Sequence, residues 1–453
     1  MKTKIDKLNF YRKSEDIFEQ YKNDTMAIFL DSSLENQLGR FSIIGLKPYL
    51  VLEESNGIFY KNGVSQKESF EQGIQRFLDL YREDNPTDLP LIAGALGYFS
   101  YDYGRKFENI PTRHPKKLEI PDALFVFYDL LIIDDKVKKT LYLTARGETA
   151  PPDLALQRLK KEIERCPICQ GPPRHKYRAS FTPNFTKEAY KNSIEQMISY
   201  IREGDIYIAN MTQQLTVHSK KAPYDAYRYL RTYNPAPFSC FFQCGHFQIL
   251  SASPERFLQI RKNTIETRPI KGTRKRGETE KEDALLKEEL KNSSKDRSEL
   301  LMIVDLERND LNHICSPGSV QVTKHFDIET YATVFHLVTT IVGTLKPDRN
   351  VSSLLEASFP GGSITGAPKI RAMEIIDELE HDRRNLYTGA LGYFSFDGNC
   401  DFNIIIRTAI YKDQKYYLGV GGGITCESDL EFEYEETLQK AKAILEALWE
   451  DER

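Results

Sequence analysis

Lys271 is the residue of this chain whose surroundings most suggest covalent chemistry. It lies in the segment RPIKGT, residues 268–273, between an apolar residue and a glycine. Proline and glycine indicate a strand end or a tight turn, from which a lysine can reach a pocket. A lysine whose surroundings lower its pKa can act as a nucleophile. The alternative is a solvated basic loop, because the segment RKR, residues 274–276, follows directly.

Two predicted helices each carry a pair of carboxylates three residues apart. The pairs are Asp296 with Glu299 and Glu433 with Glu436, and this spacing places both members on one helix face. Two such faces opposite each other would offer oxygen ligands to Mg²⁺, which takes few carboxylates and keeps other positions for water and substrate oxygens. The alternative is a solvated acidic face, because residues 427–436 are crowded with charge.

Three further features suggest the binding of an anion. The segment FPGGSITGAPK, residues 359–369, has glycines at P-loop spacing, but Ala367 and Pro368 replace the required lysine and hydroxyl residue. A helix that starts near Pro368 would still present free N–H groups to an anion. Arg407 could bind a carboxylate through two hydrogen bonds or form a buried ion pair. His336 lies in a β-branched segment, where a lone histidine is more often structural.

The elements that position these residues are predicted from hydrophobic periodicity. Helices are expected at residues 153–165, 187–202, 280–290, 297–309, 368–380 and 430–448, and strands at 123–128, 130–133, 247–251 and 334–342. The strands occur in clusters rather than in alternation with helices, which indicates an α+β fold.

A segment rich in proline and charge, residues 151–177, is predicted to connect two regions, 1–150 and 178–453. The segment GALGYFSYD, residues 94–102, recurs as GALGYFSFD, residues 389–397, with one difference. Glycine-rich aromatic segments of this kind suit strands whose backbones approach closely, so both copies are interpreted as structural.

The overall composition excludes several classes of protein. The chain has 453 residues, 62 basic and 66 acidic, for a net charge of −4, so nothing indicates nucleic-acid binding. We expect no membrane span, because no stretch approaches ~20 apolar residues, and no signal peptide, because residues 1–7 lack an apolar core. Seven cysteines suggest reduced thiols and a cytoplasmic protein. The pair Cys166 and Cys169 is too few ligands for a structural zinc site.

The motifs, taken in order, resemble those of the chorismate-utilising enzymes, the family of anthranilate synthase component I and isochorismate synthase. They are SPERF (253–257), RPIKGT (268–273), KDRSE (295–299), MIVDLERND (302–310), FPGGSITGAPK (359–369), IRT (406–408) and GGGI (421–424). The resemblance implies large antiparallel sheets that face each other, with helices on the outside.

The resemblance also assigns roles to individual residues. It implies that Lys271 is a nucleophile, that Glu255 is a general acid, and that Mg²⁺ is the cofactor. The implied metal ligands are Glu299 and Glu436, helped by Glu433 and Asp296. The implied substrate-binding residues are His336, Thr365, Gly366, Tyr387, Arg407, Gly422 and Lys440. A tryptophan pocket, with tryptophan as a structural ligand, is implied at Ser32, Arg40, Phe41, Ser42, Asn210, Pro237 and Phe238.

The implied activity is the conversion of chorismate and ammonia into 4-amino-4-deoxychorismate, a precursor of 4-aminobenzoate in folate synthesis. Lys271 favours this activity, because anthranilate synthases usually carry alanine there. The chain has no glutaminase signature of its own, so a separate glutaminase subunit is expected to supply ammonia. Relatives that attack carbon 2 of chorismate with water carry a lysine base where this chain has Ile208. Isoleucine cannot act as a base, which argues against isochorismate or salicylate synthesis. The alternatives are an anthranilate synthase component I and a non-catalytic subunit that binds an aromatic amino acid.

Overall fold

The computed structural model describes residues 2–36, 38–108, 110, 112–331 and 334–449 of the chain, and its regular structure is divided about equally between antiparallel β-sheet and helices. The strands are β1 Lys4–Lys7, β2 Ile28–Asp31, β3 Phe41–Ser55, β4 Ile58–Lys61, β5 Val64–Ser65, β6 Gly94–Phe99, β7 Ala123–Asp135, β8 Thr140–Ala145, β9 Thr182–Pro183, β10 Ile208–Val217, β11 Phe238–Gln243, β12 Gln248–Ser253, β13 Arg256–Arg261, β14 Thr264–Thr267, β15 Ile270–Lys275, β16 Gln321–Thr330, β17 Val334–Thr344, β18 Gly366–Ala367, β19 Ala390–Ser395, β20 Cys400–Ile404, β21 Thr408–Lys412 and β22 Lys415–Ile424.

The helices lie between groups of strands rather than after each strand. They are α1 Ser14–Phe18, α2 Phe70–Leu80, α3 Arg105–Glu108, α4 Pro152–Glu164, α5 Lys187–Glu203, α6 Pro223–Tyr233, α7 Glu280–Asn292, α8 Ser294–Ile314, α9 Val351–Ser358, α10 Lys369–Leu379 and α11 Leu430–Ala447, with short 3-10 turns at Tyr101–Gly104 and Gly362–Ile364. Side chains of Ser293 and Asp429 accept hydrogen bonds from the first turns of α8 and α11 and so define where these two helices begin.

Two long strands, β3 and β7, join two arms of sheet. In the first arm the neighbours are β8, β7, β3, β2, β11, β12, β21, β22 and β10, in that order. In the second arm, β7 is followed by β6, β19, β20, β13, β14 and β17, and both β15 and β16 also pair with β17. All of these pairings are antiparallel.

The two arms face each other across a shared hydrophobic core. Ile43 and Phe242 from the first arm lie in one buried cluster with Leu96 and Leu391 from the second. The outer face of the second arm packs against α2, α8 and α9, and that of the first arm against α1, α4, α6 and α11. The predicted α+β fold, with antiparallel sheets face to face and helices outside, is therefore confirmed.

The two copies of the repeated segment pair directly with each other. Strand β6 lies antiparallel to β19, and Gly97 is opposite Gly392. A Cβ atom on either glycine would lie 1.9 Å from a backbone oxygen of the next strand, Leu124 for Gly97 and Asp401 for Gly392. The glycines thus serve close approach of backbones, as the sequence predicts.

Predicted element boundaries agree with the structure to within a few residues at most positions. The predicted strands 123–128 and 130–133 form one strand, β7, because all of its residues are buried and no polar turn interrupts it. After α4 the chain runs without helix or strand until β9. The proposed division at residues 151–177 stays a prediction, and strands from both sides of it pair within each arm, as in β2 with β11 and β6 with β19.

No helix within the described residues is long and apolar enough to cross a membrane. All seven cysteines are free thiols.

Candidate active site

A cavity of about 640 Å³ lies where β15, β22 and the first turns of α8 and α11 meet. Most of the residues predicted to act in catalysis, metal binding or substrate binding line this cavity. They are Glu255, Lys271, Asp296, Glu299, His336, Tyr387, Arg407, Gly422, Glu433, Glu436 and Lys440. Residues as distant in sequence as Glu255 and Lys440 therefore line one space.

Thr365 and Gly366 do not line this cavity, contrary to the prediction. The hydroxyl of Thr365 is buried and donates to the carbonyl of Gly361, at 2.9 Å. Gly366 pairs with Ala209 of β10 and is not among the residues that line the cavity. The same motif instead reaches the cavity through Ser363 and Ile364, in the 3-10 turn just before.

Lys271 projects from β15 into the cavity toward the glycines of β22. Its Nζ donates a hydrogen bond to the carbonyl oxygen of Ser363, at 3.0 Å. A Cβ atom on Gly423 would lie 3.5 Å from that Nζ and 3.6 Å from Cδ1 of Ile208. The amine thus faces a surface without side chains, beside an apolar residue. Within the described part of the chain, Lys271 forms no ion pair.

Glu255 is a buried carboxyl at the start of β13. Burial raises the pKa of Glu255, and Lys271 and the hydroxyl of Ser363 oppose only part of that effect. A carboxyl that keeps its proton to a higher pH can act as a general acid.

The carboxylates of α8 and α11 lie close enough to influence one another. Burial raises the pKa of Glu299, and the charges of Asp296 and Glu436 raise it further against the opposing effect of Lys271. Burial also raises the pKa of Glu433, and Glu436 adds to it. A Cβ on Gly422 would lie 2.8 Å from Glu436 Oε2 and 3.1 Å from Glu433 Oε2, so a larger residue here would displace both carboxylates.

The four carboxylates Asp296, Glu299, Glu433 and Glu436 are the candidate ligands for a divalent cation. No cluster of three or more His, Cys, Asp or Glu side chains among the described residues is arranged as a ready metal cage. Asp296 accepts a hydrogen bond from Arg274, at 3.0 Å, and Glu436 one from Lys440, at 3.0 Å. The set nevertheless suits Mg²⁺, because that ion needs only one or two carboxylates and would relieve the repulsion between Glu299 and Glu436.

Basic side chains line the same cavity as the carboxylates. The guanidinium of Arg407 makes no hydrogen bond or ion pair to any described residue, and burial lowers its pKa. Burial likewise lowers the pKa of Lys440, whose Nζ donates to the carbonyl of Gly421 at 2.8 Å. Burial lowers the pKa of His336 to about 4, so the imidazole is neutral at pH 7, with Nδ1 2.9 Å from Thr273 Oγ1. An unpaired arginine beside a lysine favours an anionic ligand.

A second cavity, of about 460 Å³, is lined by Ser32, Arg40, Phe41, Pro237 and Phe238. These are five of the seven residues predicted to bind tryptophan. The fully buried Ser42 supports the wall: its hydroxyl accepts a hydrogen bond from the Ser32 N–H at 3.0 Å.

Asn210 does not belong to that second group, contrary to the prediction. It lies on β10 opposite Gly423 and lines the first cavity, where its amide oxygen is buried without a hydrogen-bond partner. The pairing of β10 with β22 places the side chain on the face that Lys271 also reaches, away from the second cavity.

Sequence reasoning did not single out two groups that hold functional side chains. The carbonyl of Ser363 holds the Lys271 amine, and Thr273 holds the His336 ring. Ser363 and Thr273 both lie inside motifs that were recognised. The acceptor on Ser363 is a backbone carbonyl, and a backbone acceptor leaves no signal in a single sequence.

Comparison with known proteins gives one consistent family. The family model described as chorismate binding enzyme matches residues 33–446. The aminodeoxychorismate synthase component 1 of Klebsiella aerogenes is 42% identical over 360 residues, which are 80% of this chain and 78% of that protein. The anthranilate synthase component 1 of Cereibacter sphaeroides is 36% identical over 430 residues, 90% of this chain and 86% of that protein. The crystal structure of anthranilate synthase component I from Streptococcus pneumoniae aligns with a TM-score of 0.82 and 31% identity, covering 91% of this chain and 93% of that one.

Proposed function

The chain belongs to the chorismate binding enzyme family, and from that premise we propose that it converts chorismate and ammonia into 4-amino-4-deoxychorismate. Relatives of similar identity include both aminodeoxychorismate synthases and anthranilate synthases, so similarity alone does not select the product. The proposal therefore depends on the chemistry of the site.

Lys271 is the observation that carries the proposal. Its amine faces the cavity, is oriented by the carbonyl of Ser363 at 3.0 Å, and forms no ion pair with any described residue. A lysine that only stabilised the fold would be expected to form an ion pair, whereas an amine aimed at a substrate space can act as a nucleophile. The resemblance to aminodeoxychorismate synthases rests on this residue, because anthranilate synthases usually have alanine at the same point.

The reaction proceeds in two displacements. The amine of Lys271 bonds to ring carbon 2 of chorismate, the ring double bonds shift, and the 4-hydroxyl leaves as water with a proton from Glu255. Ammonia then bonds to carbon 4 and gives up a proton to Glu255, the double bonds shift back, and the bond to Lys271 breaks. The net change is chorismate plus ammonia to 4-amino-4-deoxychorismate plus water, with the amine and the acid restored.

The other residues of the cavity bind and orient the substrate. Arg407 and Lys440 offer positive charge to the carboxylates of chorismate. His336 is neutral and Tyr387 keeps its phenol proton, because burial raises the pKa of that tyrosine. Glu299 and Glu436, with Glu433 and Asp296 beside them, would hold Mg²⁺, which would neutralise the ring carboxylate.

Two partners belong to the same proposal. Ammonia would come from a separate glutaminase subunit, and the second cavity would hold tryptophan as a structural ligand. The basis for tryptophan is the aromatic and cationic lining by Phe41, Phe238 and Arg40, where the guanidinium stacks on Phe41 at 4.5 Å.

Product analysis of the purified chain with chorismate, Mg²⁺ and ammonium chloride at alkaline pH tests the proposal. We expect 4-amino-4-deoxychorismate, with a mass increase on Lys271 when ammonia is withheld. The product should be lost in Lys271→Ala and retained in Lys275→Ala, which removes an exposed lysine from the same strand.

Each alternative has its own outcome in this experiment. Anthranilate as the product would establish the alternative activity. Bound ligand without turnover would indicate a non-catalytic subunit. Unchanged product formation by Lys271→Ala would exclude the covalent step.

A further inference from the structure

Glu307 is a buried carboxyl that the proposed reaction does not use. It lies on α8, two turns after Glu299, and is 8% exposed. Together with Thr267, Asp310 and Gly362 it lines a small void. A carboxyl at such a depth is costly unless it is neutral or well paired, so its surroundings indicate its protonation state.

The hydroxyl of Thr267 indicates that Glu307 carries a proton. Thr267 Oγ1 lies 2.7 Å from the carbonyl oxygen of Phe257 and 2.9 Å from Glu307 Oε2. A hydroxyl has one hydrogen, and a carbonyl can only accept. When Thr267 donates to Phe257, the second contact is a hydrogen bond only if Glu307 donates its own proton. A carboxylate would compete with the carbonyl for a single hydrogen.

The charges around Glu307 also favour the neutral form. Burial raises the pKa of Glu307 to about 8; the hydrogen bond with Thr267 acts to lower it, and the carboxyls of Glu255 and Asp310 act with burial to raise it. The opposing cation is Lys369 at the start of α10, but its Nζ is already 2.6 Å from Asp310 Oδ2. The charged groups that act on Glu307 are thus two acids and one lysine that is paired elsewhere.

Glu307 supports both segments that hold the reacting groups. The Phe257 carbonyl belongs to β13, two residues after Glu255. A Cβ on Gly362 would lie 3.3 Å from Glu307 Cγ, so α8 packs tightly against the 3-10 turn. The next residue in that turn, Ser363, accepts the hydrogen bond from Lys271.

We propose that Glu307 is a positioning residue that acts as a neutral acid, and that its ionisation sets an alkaline limit to turnover. The proposal rests on the proposed function, in which Glu255 and Lys271 react. Ionised Glu307 would place a second negative charge near Glu255 and would lose its donated hydrogen bond to Thr267. Because a buried charge needs solvation, β13 or the turn at Gly362 would have to move to admit water.

The test compares the pH dependence of turnover in the wild-type chain, Glu307→Gln and the control Glu195→Gln, an exposed glutamate on α5. Chorismate, Mg²⁺ and free ammonia are kept saturating from pH 6.5 to 9.5. Glutamine is neutral throughout and its amide can still donate to Thr267. One pH unit above its pKa a carboxyl is about nine-tenths ionised, so the ratio of Glu307→Gln to wild-type kcat should rise about tenfold between pH 7 and pH 9.

A ratio that stays constant over this range, as expected for the control, would overturn the role of Glu307. If the wild-type chain forms no 4-amino-4-deoxychorismate, the proposed function fails instead, so the two failures differ.

Infrared difference spectra provide a readout that does not require turnover. Wild type minus Glu307→Gln should show the C=O stretch of a protonated carboxylic acid at pH 7, lost by pH 9.5. Absence of that band would overturn the proposal.

Discussion

The substitution Glu307→Gln is expected to change how the stability of the protein depends on pH. The pKa of Glu307 is about 8 in the folded chain, against an ordinary value of 4.5. Since the folded state keeps the proton to a higher pH than the unfolded chain does, the stability this carboxyl contributes is fully present below pH 4.5. It is lost as the pH rises through 8.

The size of the effect follows from the pKa difference. A difference of about 3.5 corresponds to about 5 kcal/mol, at about 1.4 kcal/mol per pKa unit. The loss is graded, so about 2.7 kcal/mol of it falls between pH 5.5 and pH 7.5. Glutamine has no proton to lose in this range. The free energy of unfolding of Glu307→Gln, relative to wild type, should therefore increase with pH by these amounts.

Urea unfolding at a series of pH values, followed by fluorescence and circular dichroism, would measure this difference. Glu195→Gln is the matched control, since that side chain is exposed and its replacement should give an offset that does not vary with pH. An offset for Glu307→Gln that is the same at pH 5.5 and pH 8.5 would refute the reasoning, because it would mean that Glu307 titrates alike in the folded and unfolded states.

Two other substitutions test the site and the fold. Gly422→Ala would place a methyl carbon 2.8 Å from Glu436 Oε2. We therefore expect kcat/KM to fall at least about tenfold and activity titrations to require a higher Mg²⁺ concentration. An unchanged Mg²⁺ dependence would contradict the assigned ligands. Asp31→Asn would remove the carboxylate that lies 2.9 Å from Arg231 and 3.1 Å from Lys136, and would leave Arg231 only the half-buried Glu15, at 3.4 Å, as an ion-pair partner among the described residues. This change should cost about 3–5 kcal/mol in urea unfolding, and a loss below about 1 kcal/mol would show that water already screens the group.

The chemistry of the candidate site could be predicted from sequence because it depends on residue types in a fixed order. Lys271, Glu255 and the paired carboxylates of α8 and α11 were identified from their motifs, and all of them line one cavity. Helical spacing places two carboxylates three residues apart on one face whatever the rest of the fold does. Their roles in catalysis and metal binding remain predictions.

The wrong placements came from motifs whose backbone takes part in strand pairing. Gly366 was predicted to bind substrate, but it pairs with Ala209 of β10 and does not line the cavity. Asn210 was grouped with the second cavity, but the pairing of β10 with β22 puts it in the first. A shift of one residue along a strand moves a side chain to the other face of the sheet, so register decides the outcome.

Local sequence thus determined the α+β class, most of the helices and the reactive groups, because these depend on periodicity and residue type within a few turns of chain. Only the tertiary structure decided which carbonyl holds the Lys271 amine and why Glu307 keeps a proton. Both depend on contacts between residues far apart in sequence, Lys271 with Ser363 and Thr267 with Glu307. Burial and hydrogen-bond partners set the protonation state of a group, and neither exists until the two arms of the sheet and their helices have packed.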